Sequence, residues 1–164
     1  MFLKKSFFAQ NAVEVAKALI GKTLVFGDFQ GIITETEAYR GSDDPASHAY
    51  RGPTPRSQIM FGEPGFSYVY LIYGMYHCLN IVTEPVGSPS AVLIRGLQIG
   101  SLLLDGPGKL CRHLNLNLSH HQKDLTKAPS FCVVDGLNVK PKHILATSRI
   151  GIKQGLDKLW RFKC

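Results

Sequence analysis

The amino-acid sequence predicts an α+β fold, one domain spanning residues 1–164 on a largely antiparallel sheet. Six short segments rich in β-branched and aromatic residues recur along the chain, the mark of strands. Only two helical patterns accompany them, so the regular strand–helix alternation of a parallel sheet is missing. With 164 residues, 45% of them hydrophobic and 19% charged, the chain can bury one sizeable core and little more.

The elements follow in chain order. Two lysines precede apolar residues at the amino end, but Gln10, Asn11, Glu14 and Lys17 interrupt that run too soon for a secretion signal. A helix fits better, with Asn11 as its N-cap, Glu14 completing a capping box and Gly21 as its stop. Strands are expected at KTLVF (22–26), GIITETEAY (31–39), FSYVYLIY (66–73), YHCLNIVT (76–83), SAVLIRGL (90–97) and SFCVVDG (130–136). A second helix begins at GPGKLCRHL (106–114), placing Leu110 and Leu114 on one face.

Between the second and third strands, residues 40–65 carry eight Gly or Pro and no sustained periodicity. A loop of that length in a small domain is usually functional or disordered. Tyr50, Ile59, Met60 and Phe61 are its candidate anchors, and Arg40, Arg51 and Arg56 could face phosphates. The next two strands flank Tyr73, Gly74 and Met75, which reads as a tight hairpin turn exposing Tyr73 and Met75 at its tip. Alternation puts Tyr68 and Tyr70 on one face and leaves Tyr73 for the turn to aim.

Nineteen Lys and Arg against twelve Asp and Glu give a formal charge of +7 and favour an anionic partner, nucleic acid above all. A generic basic protein would explain the charge equally well. Nothing reaches the roughly 18 consecutive apolar residues of a membrane span, and the expectation is a soluble cytoplasmic protein, nucleoid-associated in a bacterium. Cys78, Cys111, Cys132 and Cys164 are far apart and form no Cys-x-x-Cys, so reduced thiols are expected. His120 and His121 lack a second ligand pair, and no metal or cofactor is expected.

Two blocks, ETEAYRGSDDPASHAYRG (35–52) and MFGEPGFSYVYLIYGMYHCLN (60–80), are similar in order and spacing to the alkyladenine, or methylpurine, DNA glycosylase family. SAVLIRGL, GPGKLC, SRIGI and WRF extend the resemblance over nearly the whole chain. It implies a curved antiparallel sheet with packed helices and a protruding hairpin that enters the DNA minor groove. The implied activity is release of alkylated or deaminated purines from double-stranded DNA by a monofunctional enzyme acting as a monomer. Glu37 would be the general base, and Arg95 with the Ile150 backbone carbonyl would hold the water. Tyr39 and Tyr70 would lie on the faces of a flipped base, His48 at its edge, and Asn80 against the exocyclic amino group of guanine. Tyr73 would fill the vacated duplex position with Met75 beside it in the groove; Arg40, Arg51, Arg56 and Lys109 are the candidates for the DNA backbone.

Residue type alone favours plainer roles. A strand glutamate is usually solvated or ion-paired, a strand tyrosine packs in a core, and a buried asparagine satisfies backbone. The competing function is a DNA- or RNA-binding module of the same fold without turnover. The chain also departs from the family pattern: residues 96–105 are short where longer members carry a helical excursion, His77 replaces a favoured aromatic, and the chain stops at Cys164, which could leave an unpaired edge.

Overall fold

The computed structural model describes residues 2–164. A single turn, α1 (Lys5–Phe8), precedes α2 (Ala12–Leu19), whose buried stripe is Ala12, Val15, Ala16 and Leu19. Asn11 caps α2 as expected, its side chain accepting from the Val13 amide at 2.9 Å. The second half of the capping box does not form. The Ala12 amide donates to Glu84 Oε2 at 2.9 Å, so a buried carboxylate 72 positions away meets the first amide of the helix. Glu14 is left to pair with Lys17 at 3.7 Å. Gly21 ends the helical region with φ +90°, and a Cβ there would meet Leu137 O at 2.6 Å.

The strands are β1 (Thr23–Phe26), β2 (Phe29–Arg40), β3 (Ser67–Ile72), β4 (Tyr76–Thr83), β5 (Ser90–Ile99), β6 (Leu102–Asp105), β7 (Phe131–Val134), β8 (Leu145–Thr147) and β9 (Arg161–Lys163). All of their pairings are antiparallel, in the order β3-β4-β5-β2-β1-β7, with β6 on β5 and β9 between β2 and β8. The expected α+β class therefore holds. Residues 96–105 are a β5–β6 hairpin; β9 has neighbours on both sides, and the edge near the carboxyl end falls on β8, which pairs only with β9 among the described residues.

The twelve residues of β2 run through the middle of the sheet. Glu35, Thr36 and Glu37 are flanked there by β5 and by β9, with register shifts against β5 on either side of Glu35. Such a bulge redirects side chains that strict alternation would keep on one face. On one side of the sheet, α2 and α3 (Pro107–Leu114) bury Leu19, Leu110 and Leu114 against Ile33, Leu79, Ile94 and Leu97. A smaller cluster, Ala49, Met60, Tyr68, Val82 and Ala91, lies under the 40–65 loop.

That second cluster anchors the loop. Met60 is buried with Ile59 and Phe61 packed alongside, whereas Tyr50, also expected as an anchor, is exposed. Cys78, Cys111 and Cys132 are buried and Cys164 is exposed, all as free thiols. No helix among the described residues is long and apolar enough to cross a membrane.

Phe162 is 1% exposed and carries β9 into the main core. Phe162→Ala is expected to cost about 3–5 kcal/mol of unfolding free energy. Leu103→Ala, at a side chain 56% exposed, should stay within about 0.5 kcal/mol. Urea denaturation of both variants checks the contrast.

Candidate active site

Glu37 occupies the centre of the sheet and has no exposed surface. Its Oε1 accepts from the Tyr39 hydroxyl at 2.7 Å and its Oε2 from the Ile150 amide at 2.7 Å. Arg95 Nε stands 3.7 Å from the same Oε2. Burial pushes the Glu37 carboxyl above the ordinary glutamate range; the Ile150 N–H, Arg95, the Tyr39 hydroxyl and Arg149 hold it back in part. A carboxylate so placed is a stronger proton acceptor than one in water. Residue 150 meets Glu37 through its amide, which leaves its carbonyl, the group singled out by resemblance, out of that contact.

A cavity of about 590 Å³ opens over this carboxylate. Glu37, Tyr39, His48, Tyr70, Asn80, Arg95 and Ile150 all line it, although they come from β2, the 40–65 loop, β3, β4, β5 and the segment after β8. Burial raises both the Tyr39 and the Tyr70 hydroxyls far above an ordinary phenol, so both stay protonated donors. His48 Nδ1 lies 2.9 Å from the Tyr68 hydroxyl and its ring meets Tyr70 edge-on at 4.7 Å. Burial, and then the charge of Arg56, lower the His48 pKa, which favours a neutral imidazole with one donor and one acceptor nitrogen. Asn80 is 4% exposed and donates to the Tyr68 carbonyl at 3.2 Å.

The β3–β4 turn supplies a different kind of surface. Tyr73 and Gly74 both have positive φ, +53° and +66°, and the Met75 amide donates to the Ile72 carbonyl at 3.1 Å. Left-handed backbone at a tyrosine costs on the order of 1–3 kcal/mol. Tyr73 is nonetheless 86% exposed and Met75 65% exposed, so burial does not offset that strain. Tyr73 also reaches the cavity lining.

The four basic residues expected to face phosphates fall into three settings. The Arg40 guanidinium is held by Glu84 at 3.2 Å and Asp43 at 3.0 Å. Arg56 lines the cavity, where it lies 5.0 Å over the Tyr70 ring and donates to the Leu71 carbonyl at 2.9 Å. Arg51 and Lys109 are exposed outside the cavity lining.

Sequence patterning missed one pair that organises the site. Arg149 and Asp44 are fully buried side chains joined by two contacts, Nη1 to Oδ2 at 2.5 Å and Nη2 to Oδ1 at 2.8 Å. Arg149 also donates to the Ala38 and Gly155 carbonyls, and it lies 4.7 Å over the Tyr39 ring and 5.3 Å over Trp160. Asp44 in turn accepts from the Arg40 and Ala46 amides. The pair thereby ties the end of β2 and the loop bearing His48 to the segment that presents Ile150. Its members are 105 positions apart, a separation at which no local pattern links two charges.

No group of three or more His, Cys, Asp or Glu side chains that could hold a metal occurs among the described residues. A family model described as methylpurine-DNA glycosylase (MPG) matches residues 6–164. The "Putative 3-methyladenine DNA glycosylase" of Sodalis glossinidius is 57% identical over 164 residues, covering 98% of this chain and 95% of that protein. Proteins of the same name from Wolbachia pipientis wMel and Ehrlichia chaffeensis are 53% and 52% identical, again over 98% of this chain.

Asp44→Ala would leave the Arg149 guanidinium buried and uncompensated. The expected loss is about 3–5 kcal/mol in chemical denaturation, well beyond that of a surface carboxylate change.

Proposed function

The chain belongs to the methylpurine-DNA glycosylase family, and from that premise we propose that its cavity takes an alkylated or deaminated purine flipped out of duplex DNA, where Glu37 activates the hydrolytic water. One observation carries this reading: a buried carboxylate with a raised pKa, fixed by a backbone amide and a phenol, faces a cavity walled by aromatic rings. The reaction follows from that placement. Water attacks C1′ of the deoxyribose as its proton passes to Glu37; the C1′–N bond breaks and its electron pair leaves with the purine. An abasic site remains.

Each neighbour has a part. Extruding a base costs a few kcal/mol, least for damaged pairs. Stacking on Tyr39 and Tyr70 returns roughly 1–3 kcal/mol per contact, more for cationic methylpurines whose charge is attracted to ring faces. His48 offers one donor or acceptor to the base edge, and Asn80 obstructs the exocyclic amino group of guanine. Arg95 and the Ile150 carbonyl hold the water. Tyr73, with Met75 beside it, enters the duplex where the base has left, consistent with its costly exposed conformation.

The substrates in this reading are 3-methyladenine, 7-methylguanine, ethenoadenine and hypoxanthine, and the enzyme acts as a monomer with no strand cleavage. A Schiff-base lysine needs a desolvated amine, whereas Lys153, which reaches the cavity lining, is exposed. Arg51, Arg56 and Lys109, all exposed, are the candidates for phosphate contacts, with Arg40 held by Glu84 and Asp43.

Glu37→Gln should still bind lesion DNA but lose base release by at least about a hundredfold in single-turnover assays; normal release by that variant would remove Glu37 from the mechanism. Because the folded pKa of Glu37 is raised, the wild-type rate should climb with pH through a limb lying above the roughly 4.3 of a free glutamate. A limb at or below that value would contradict the buried-base account. Tyr73→Ala should weaken lesion binding and slow flipping, followed with a fluorescent base opposite the lesion. Unchanged affinity and rate would exclude the wedge role.

A further inference from the structure

Glu35 is 3% exposed and has no part in the steps above. Its Oε2 nevertheless receives two arginines, Arg161 Nε from β9 at 2.5 Å and Arg95 Nε from β5 at 3.1 Å. Arg161 is fixed at its other end, where Nη1 donates to Thr147 Oγ1 of β8 at 3.0 Å. Arg95 Nε lies 3.7 Å from Glu37 Oε2, so the same guanidinium serves both carboxylates and is closer to Glu35. The result is a row of alternating charges, Arg161, Glu35, Arg95 and Glu37. Only the last two members line the cavity.

The sheet builds this row. Glu35 and Glu37 lie two apart on β2, both within reach of Arg95 of β5, with register shifts on both sides of Glu35, and pairing of Glu35 through Glu37 with β9 brings Arg161 alongside. We propose that Glu35 is a positioning residue for base release: by taking the shorter of the two Arg95 contacts, it keeps the guanidinium beside Glu37 without letting it close into a tight ion pair. This rests on Glu37 being the base and Arg95 its partner. An opposite charge in close contact favours the ionised carboxylate and makes it a poorer proton acceptor; a carboxylate buried with no cation would be protonated. Glu35, itself anchored by Arg161, sets Glu37 between those limits.

Other groups also face Glu37. Tyr39 approaches from its own strand, Cys78 from β4 and Arg149 from the segment after β8, while Tyr70 of β3 and His48 of the loop share its cavity. Arg95 is the one group whose contacts Glu35 and Glu37 divide among the described residues.

Two substitutions separate this role from simple support of the fold. Glu35→Gln leaves Arg95 to Glu37 alone, so the acid limb of single-turnover hypoxanthine release from a duplex oligonucleotide should move to lower pH by roughly one unit, with the plateau falling about tenfold. Arg161→Met removes a cation outside the cavity and leaves Glu35 a stronger hold on Arg95, so the limb should move to higher pH. Lost packing alone would not produce opposite displacements. Unmoved limbs, or limbs moving the same way, overturn the proposal. If Glu35→Gln does not fold, Arg161→Met decides by the upward displacement or its lack. Glu37→Gln in the same assay separates the two levels: release by that variant topples the base assignment, whereas a silent Glu37→Gln with unmoved limbs removes only Glu35.

Discussion

A carboxylate taken out of water in the middle of a sheet is costly unless donors and cations reach it, and Glu37 draws them from three separate stretches of chain. Tyr39 comes from its own strand, Arg95 from the neighbouring strand and the Ile150 amide from more than a hundred residues away. Meeting that requirement explains much of the remaining architecture. The segment after β8 must return to the sheet to present Ile150, and the adjacent Arg149 fixes it there by pairing with Asp44. Asp44 belongs to the loop that carries His48, so the arrangement that satisfies the carboxylate also shapes the cavity wall. Buried pairs of this kind add little net stability compared with apolar residues, and their value here is geometric.

The same constraint accounts for the chemical character of the site. Partial compensation leaves Glu37 raised above an ordinary glutamate, whereas full pairing would make it inert as a base. The aromatic hydroxyls are driven the other way from reactivity: Tyr68 is pushed up to about 12 and Tyr39 and Tyr70 still further. The rings are thus neutral, protonated groups around one buried carboxylate. Tyr73, at the cavity edge, and Met75 are both exposed, and contact with a large partner is the natural use of such apolar surface.

Where structure depends on local pattern, it is legible in the chain. Strand periodicity placed Glu37, Tyr70 and Asn80 within the right strands, and the Tyr73-Gly74-Met75 turn was evident from the two apolar runs that flank it. Asn11 declared itself as a cap because capping is a local interaction. The misses share a long-range origin. Glu84, not Glu14, is the carboxylate that meets the first amide of the helix, and Arg149 finds Asp44 across most of the chain. Strands β8 and β9, three residues each, are too short to show a period. Grouping the site residues before the fold was known depended on family resemblance; their common cavity now supports that grouping by geometry.

Hydrolytic removal of the base is the claim on which the functional account turns. Incubating the protein with duplex DNA containing a single 3-methyladenine, then assaying separately for abasic sites and for strand breaks before any alkaline treatment, tests it directly. The account predicts abasic sites in proportion to free 3-methyladenine, with the strand intact. Tight binding without abasic sites would contradict it and identify the chain as a binding module.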